Sequence, residues 1–166
     1  MHIRDAVEAD LATIVAIYNS TIACHTVTAD LAPVTVESRL PWFRAHTADK
    51  RPLWVMDADN EVAGWLGFQS FYYGRSAYDI AAELSIYVSP AYRRQGIGQA
   101  LLKQAIARSP SFHIKTLLGF IFAHNQPSLR LFEQFGFQQW GYLPGVAEFE
   151  TIPRDLVIVG LQFNDH

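Results

Sequence analysis

The stretch from Ile80 to Ala107 constrains this chain more than any other. Its first part alternates. Ala82, Leu84, Ile86 and Val88 point to one side of an extended backbone, and Ala81, Glu83, Ser85 and Tyr87 to the other. That pattern predicts a strand over Ile80–Val88 with one apolar face and a single carboxylate on the opposite face. Ser89-Pro90 ends the strand. Then comes Arg93-Arg94-Gln95-Gly96-Ile97-Gly98, followed by a helical run with Ile97, Leu101, Leu102, Ala105 and Ile106 on its apolar side. Gly96 and Gly98 let a ligand approach bare backbone. The helix start presents unpaired N–H groups and the positive end of the helix dipole, and Arg93 and Arg94 add full charge. The turn is therefore a candidate anion site, with pyrophosphate the best fit. It is neither the dinucleotide G-x-G-x-x-G pattern nor a P-loop. Taken alone, it also reads as a plain loop entering a helix.

The remaining segments surround this unit. Met1–Ala6 reads as a strand and Glu8 to about Ile22 as a helix whose apolar side carries Leu11, Ile14, Val15, Ile17 and Tyr18. Ala23–Val34 is irregular and forms a candidate pocket rim. Thr35 is a candidate N-cap for a short helix to about Ala45, with Pro41 inside it predicting a kink or an early end. Leu53–Met56 and Glu61–Phe71 are predicted strands of a hairpin turning at Asp57–Asn60. Tyr72–Asp79 reads as a loop and Leu117–Ala123 as a buried strand. Pro127 suits the first turn of a helix that runs to Phe135 and stops at Gly136. Phe137–Leu143 and Leu156–Phe163 are predicted strands joined by a loop over Pro144–Pro153. The order β-α-α-β-β-β-α-β-α-β-β is no regular alternation, so the expected class is α+β, a mixed sheet flanked by helices.

Composition narrows the possible functions. The 166 residues, half of them hydrophobic and only 17% charged, suit one domain with a real core, taken as 1–166. A net charge of −3 provides no basic field for nucleic acid. Cys24 is the only cysteine, so no internal disulfide can form, which permits a reducing cytoplasm. The N-terminus is too charged for a signal peptide, and no apolar run approaches the ~20 residues that span a bilayer. The expected location is cytoplasmic, with no membrane partner.

Two motifs carry a resemblance. Arg93, Gly96 and Gly98 match the Gln/Arg-x-x-Gly-x-Gly/Ala pattern of the GCN5-related N-acetyltransferase superfamily. Asn125, Ser128, Leu131, Gly136 and Phe137 match its Asn-x-x-Ser-x-x-Leu-x-x-x-x-Gly-Phe pattern. Arg75 to Asp79, Glu83 and Ile86 to Pro90 are similar to the phosphinothricin N-acetyltransferase-like group. The resemblance covers nearly the whole chain and weakens in the last twenty residues.

The resemblance implies a mostly antiparallel central sheet and an acetyl-CoA cosubstrate lying beside the central strand. Ile86, Tyr87 and Val88 would pair with its pantetheine arm. Arg93, Arg94, Gln95, Gly96, Ile97, Gly98 and Gln99 would hold its pyrophosphate, and Asn125 and Ser128 would support the pantetheine. Asn125 is equally an N-cap ahead of Pro127, and Ser128 a first-turn residue. Arg93 can also be a solvated charge. Acetyl transfer to an amine needs a base and a donor for the developing oxyanion. Glu83 is the candidate base, and the N–H of Val88 the candidate donor. A structural ion pair between Glu83 and Arg75 is the alternative. Arg75 and Tyr78 are candidate acceptor-binding residues, or simply an exposed arginine and a packing tyrosine.

The chain also departs from the group. Phe132 stands where many relatives carry a tyrosine acid, and Ala29 where they carry an aromatic. Of a Gly-x-Lys-x-Gly-x-Trp-x-Asp run only Asp155 survives, Phe149 and Pro153 replacing its lysine and tryptophan. His25 and His124 lack metal-ligand spacing and read as rim residues, and Cys24 as buried. No metal is expected. The expected activity is N-acetylation of a small primary amine, an amino acid or its analogue, by a homodimer. A non-catalytic acyl-CoA sensor and a protein N-acetyltransferase are the competing readings.

Overall fold

The computed structural model describes residues 1–164; the last two residues of the expected 1–166 domain lie outside them. Seven strands form one sheet in the order β1-β2-β3-β4-β5-β7-β6. They are β1 (His2–Asp5), β2 (Leu53–Ala58), β3 (Glu61–Ser70), β4 (Ala81–Val88), β5 (Thr116–Phe122), β6 (Gln138–Phe149) and β7 (Ile152–Gln162). The helices are α1 (Leu11–Asn19), α2 (Val36–Arg44), α3 (Ile97–Arg108) and α4 (Gln126–Gln134). Only β4 and β5 run parallel; every other neighbouring pair is antiparallel. The expected α+β class and mixed, mostly antiparallel sheet are what the chain adopts.

The alternation of β4 sorts the core. Its even-numbered side chains Ala82 and Leu84 are buried with Ile97, Leu101, Leu102 and Ala105 of α3 and Phe132 of α4. On the other face Trp65 of β3 joins Ile14 and Ile17 of α1, with Trp42 of α2 and Tyr87 of β4 packed against them. Tyr87 stacks on Trp65 with centroids 4.6 Å apart, and Tyr18 meets Tyr87 edge-on at 5.1 Å.

Several boundaries differ from the sequence expectation. Glu8–Asp10 is a 3-10 turn, closed by the Asp10 carboxylate accepting the Val7 N–H at 2.8 Å, so α1 starts later and ends at Asn19. Thr35 caps α2 as expected, its Oγ1 accepting the Ser38 N–H at 3.1 Å, and the helix passes through Pro41 to Arg44. The β2–β3 turn tightens to Asp59-Asn60, whose φ angles of 52° and 62° suit a two-residue hairpin. The expected Pro144–Pro153 loop is instead strand. β6 and β7 continue to a two-residue turn at Glu150-Thr151, with φ angles of 49° and 70°. Pro144 is tolerated because β6 is an edge strand whose register shifts between Leu143 and Ala147, and Pro153 because β7 has no β5 partner before Leu156. Asp155 secures that irregularity, accepting the Gly145 N–H at 2.7 Å and the Tyr142 hydroxyl.

β3 approaches α3 closely at Gly64. A Cβ there would lie 2.9 Å from both the Tyr87 carbonyl oxygen and Ile97 Cγ2. The first contact is backbone and cannot rotate away. Gly64→Ala is therefore expected to lower stability by about 1–3 kcal/mol, read as a lower midpoint in urea denaturation.

Candidate active site

β4 and β5 pair only from Ala81 to Glu83, opposite Thr116 to Leu118. Beyond that point β4 keeps β3 as its partner, while β5 pairs with β7 as far as Phe122 opposite Leu156. The two central strands thus part in mid-sheet. The hydrogen-bond alternation says which backbone groups face the gap. Ser89 donates to the Ala63 carbonyl at 2.8 Å, so odd-numbered β4 residues bond toward β3. The Ile80 carbonyl accepts from Thr116, so even-numbered residues turn toward β5. The N–H and C=O groups of Ile86 and Val88 therefore look into the gap. Paired strands do not normally leave such groups open, and an extended ligand can satisfy them by adding as a further strand.

A cleft of about 850 Å³ fills this opening. Glu83 to Val88 form one wall, Phe120 to Phe122 the other, and the irregular Cys24–Ala29 segment the roof. Arg93 and Gly98 lie at one end, with Asn125 and Ser128 below. Gly96 adopts φ 80° and caps α3 without any side-chain hydrogen bond, so the first N–H groups of the helix stay open to a ligand. Arg93, Arg94, Gln95, Gly96 and Gln99 are exposed around this turn, whereas the Ile97 side chain is buried in the core and offers only its backbone. Gly98 brings α3 against α4 and β4: a Cβ there would sit 3.3 Å from Leu131 and 3.9 Å from Val88.

Asn125 is 6% exposed, and its Oδ1 accepts the Ser128 N–H at 3.3 Å. It is thus an N-cap of α4 and a cleft residue at once. Phe132 is buried edge-on against Phe137, at 4.9 Å between centroids. The side chain of Glu83 is part-buried at the cleft wall and, among the described residues, makes no hydrogen bond or ion pair. The expected alternative, pairing with Arg75, is not formed. Burial pushes the Glu83 carboxyl above its ordinary pKa.

Arg75 and Tyr78 lie in the Phe71–Asp79 segment that leads into β4. Both are exposed, and neither lines the cleft. Tyr78 packs edge-on against Phe71 and Tyr72. Tyr72 and Tyr73 hold φ angles of 48° and 63°, uncommon for bulky residues. Where the segment meets β4, the buried Arg51 donates to the carbonyls of Asp79 at 2.8 Å and Ala81 at 3.3 Å.

Cys24 is exposed on the cleft roof rather than buried, because the roof turns outward after α1. His124 donates from Nε2 to the His25 carbonyl at 2.8 Å, and the His25 ring stacks on Phe149 at 5.2 Å. The two histidines thus tie the roof to the start of α4 and to the β6–β7 hairpin. Among the described residues no group of three or more His, Cys, Asp or Glu could hold a metal ion.

A second cavity, of about 370 Å³, lies on the α1–α2 side of β3 and β4 and shares Ser85 and Tyr87 with the cleft. Tyr18, Asp30, Arg39 and Gln69 line it. Gln69 sits directly opposite Glu83 in the β3–β4 register. The Tyr18 hydroxyl bonds to Asp30 and, at 2.5 Å, to Thr28; Arg39 donates to Asp30 at 3.1 Å and lies 5.1 Å from the Tyr18 ring centroid. Sequence reasoning missed this cluster. Tyr18 sat in an apolar helical pattern, and Arg39 carries no motif.

Residues 14–137 match the sequence profile of the Acetyltransferase (GNAT) family. The chain belongs to the GNAT acetyltransferase family. It is 48% identical over 165 residues to YwnH of Bacillus subtilis, covering 99% of this chain and all of that one. It is 32% identical over 153 residues to the L-methionine sulfoximine/L-methionine sulfone acetyltransferase of Pseudomonas aeruginosa, covering 88% of this chain and 85% of that one. Among solved structures, a GNAT superfamily phosphinothricin acetyltransferase from Sinorhizobium meliloti in complex with AcCoA superimposes with a TM-score of 0.91 at 27% identity, over 98% of this chain and 88% of that one. The family match and the structural likeness agree on the fold, and this GNAT chain is an acetyltransferase.

The raised Glu83 carboxyl has a consequence for stability. A carboxyl with a folded pKa above its unfolded value contributes stability below the unfolded pKa, about 4.3, and loses it as pH rises through the folded pKa. Glu83→Gln removes that loss. The variant is expected to be more stable than wild type at pH 7–8, with the difference vanishing in acid. Urea midpoints across pH measure it.

Proposed function

We propose that this chain transfers the acetyl group of acetyl-CoA to the primary amine of an amino acid or amino-acid analogue. The observation that carries this reading is the parting of β4 from β5 beside an unpaired carboxylate. The gap exposes Ile86 and Val88 backbone, which suits the amides of a pantetheine arm. The Tyr87 side chain packs behind this wall. Arg93, Arg94, Gln95, Gly96, Ile97, Gly98 and Gln99 surround the N-terminus of α3, where backbone N–H groups and the helix dipole favour a pyrophosphate. Asn125 and Ser128 support the pantetheine from below.

The chemistry follows from the groups present. An amine must be neutral to attack, and Glu83, held in its low-dielectric setting and free of a cation, is a stronger base than an exposed carboxylate. It takes the proton directly or through a water. Negative charge gathering on the thioester oxygen meets the Val88 N–H, which is already directed into the gap. Phe132 cannot donate a proton, so the CoA thiolate leaves without an acid at that position. Arg75 and Tyr78 stand on the exposed segment leading into β4 and line neither cavity, so only the resemblance supports them as acceptor contacts. The relatives' names, which include phosphinothricin and methionine sulfone, support an amino-acid-like acceptor.

The test is CoA release from acetyl-CoA across a panel of amino acids, sulfone and phosphinate analogues, polyamines and peptides. Glu83→Gln is expected to lower kcat/KM by about 10²–10⁴-fold at neutral pH. Part of the rate should return above the α-amine pKa of about 7.7–8.0, where the acceptor loses its own proton. Acetyl-CoA binding without release of CoA on any amine would favour a sensing module, a reading to which Phe132 lends weight.

We also propose one 1–166 acetyltransferase domain that works as a cytoplasmic homodimer. The exposed Cys24 thiol suits a reducing compartment. The edge strand β6 leaves the apolar side chains of Trp140 and Leu143 exposed, surface that a second copy would cover. Sedimentation is expected to give twice the chain mass for wild type and the monomer mass for Leu143→Asp.

A further inference from the structure

The cleft accounts for the donor and for Glu83 but contains no cation positioned for the acceptor. Arg93 stands at the pyrophosphate end, and Arg75 lines neither cavity. The cation that does line a cavity next to the reacting centre is Arg39, in the polar chamber behind Ser85. That chamber is large enough for part of a small molecule. It reaches Gln69, the cross-strand neighbour of Glu83.

The geometry points to Arg39 as a specificity-determining residue for the acceptor. It binds an anionic or strongly polar oxygen group at the far end of an amino-acid acceptor whose amine lies at Glu83. The inference rests on the acetyl-transfer reading above.

Arg39 is prepared for this task. Its only hydrogen bond among the described residues is one donation, from Nη2 to Asp30. Most of its five N–H donors remain for a ligand. Its guanidinium lies against the Tyr18 ring, and the Tyr18 hydroxyl in turn holds Asp30. This arrangement orients the guanidinium in advance, so less freedom is lost when a ligand binds. A planar fork of donors matches a carboxylate, a phosphinate or the paired oxygens of a sulfone. The far end of the acceptor is the part that fits. Tyr18 and Tyr87 lie in series between Arg39 and the β4 backbone, with 5.1 Å between their ring centroids. A group bound at Arg39 is therefore set well back from the gap where the amine reacts. Sequence alone favoured Arg75 for this role.

The experiment measures kcat and KM with saturating acetyl-CoA for three acceptors of similar length: phosphinothricin, methionine sulfone and norleucine. Wild type, Arg39→Met, Arg39→Lys and Arg75→Met are compared. Asp30 is partly exposed and its carboxylate keeps the hydrogen bond from the Tyr18 hydroxyl, so Arg39→Met strands no buried charge and is expected to fold. The expected result is that Arg39→Met raises KM about 10- to 100-fold for the two oxygen-bearing acceptors, the loss of charge-assisted hydrogen bonds. Their kcat should stay within about threefold, and norleucine kinetics should hardly change. Arg39→Lys should recover part of the phosphinothricin affinity, and Arg75→Met should leave the discrimination intact.

Equal losses on all three acceptors would overturn the assignment. So would a wild type that does not favour the oxygen-bearing pair, or a selective loss in Arg75→Met. In those cases acetyl transfer itself would stand. A wild type that releases no CoA with any amine would instead overturn the acetyl-transfer reading, and this one with it.

Discussion

β4 has a hydrogen-bonding partner on both sides only through Glu83; past that residue it has one. Every feature of the site depends on this loss of a neighbour. A strand with two partners has no backbone to offer a ligand. A strand with one partner offers alternate residues, here Ile86 and Val88. The separation leaves a cleft beneath which α3 and α4 can sit, with the positive end of α3 at one extremity and Asn125 at the other side of the floor. The sheet bears the cost of several unpaired backbone groups. Strong pairing on the outer sides compensates, with β3 along Ala82–Val88 of β4 and β7 along all of β5.

Glu83 stands on the last residue pair before the strands separate, opposite Leu118. Its side chain shares a face with Ser85 and Tyr87, away from α3 and α4. The carboxylate is destabilised where it stands, since it is part-buried and has no cation. A structural acid would be expected to have acquired a partner. Arg51 shows the contrast. It is more deeply buried, yet its two Nη atoms donate to three carbonyl oxygens and fix the approach to β4.

The cleft roof is built from a segment with little regular structure. The roof after α1 is tied down by His124 donating to the His25 carbonyl and by His25 on Phe149. The Phe149 position, where the similar group carries a lysine, is thus a packing contact in this chain. Likewise Asp155, the surviving residue of that run, holds a bulge of β6 rather than facing the cleft.

By itself the sequence determined the central unit. The alternation of Ile80–Val88, the glycine turn and the helix after it are local patterns, and each follows from backbone sterics and side-chain period over a few residues. Of the residues the two motifs carry, Arg93, Gly98, Asn125 and Ser128 line one cleft. Tertiary structure alone decided where β4 leaves β5, because the register of a parallel pair depends on strands more than thirty residues apart. It also decided that Glu83 has no ion-pair partner among the described residues, that Pro144–Pro153 pairs as strand, and that Tyr18, Asp30 and Arg39 meet at all. Those three residues come from one helix, a loop and a second helix. No local period relates them; only the packing of α1 and α2 on the sheet brings them together.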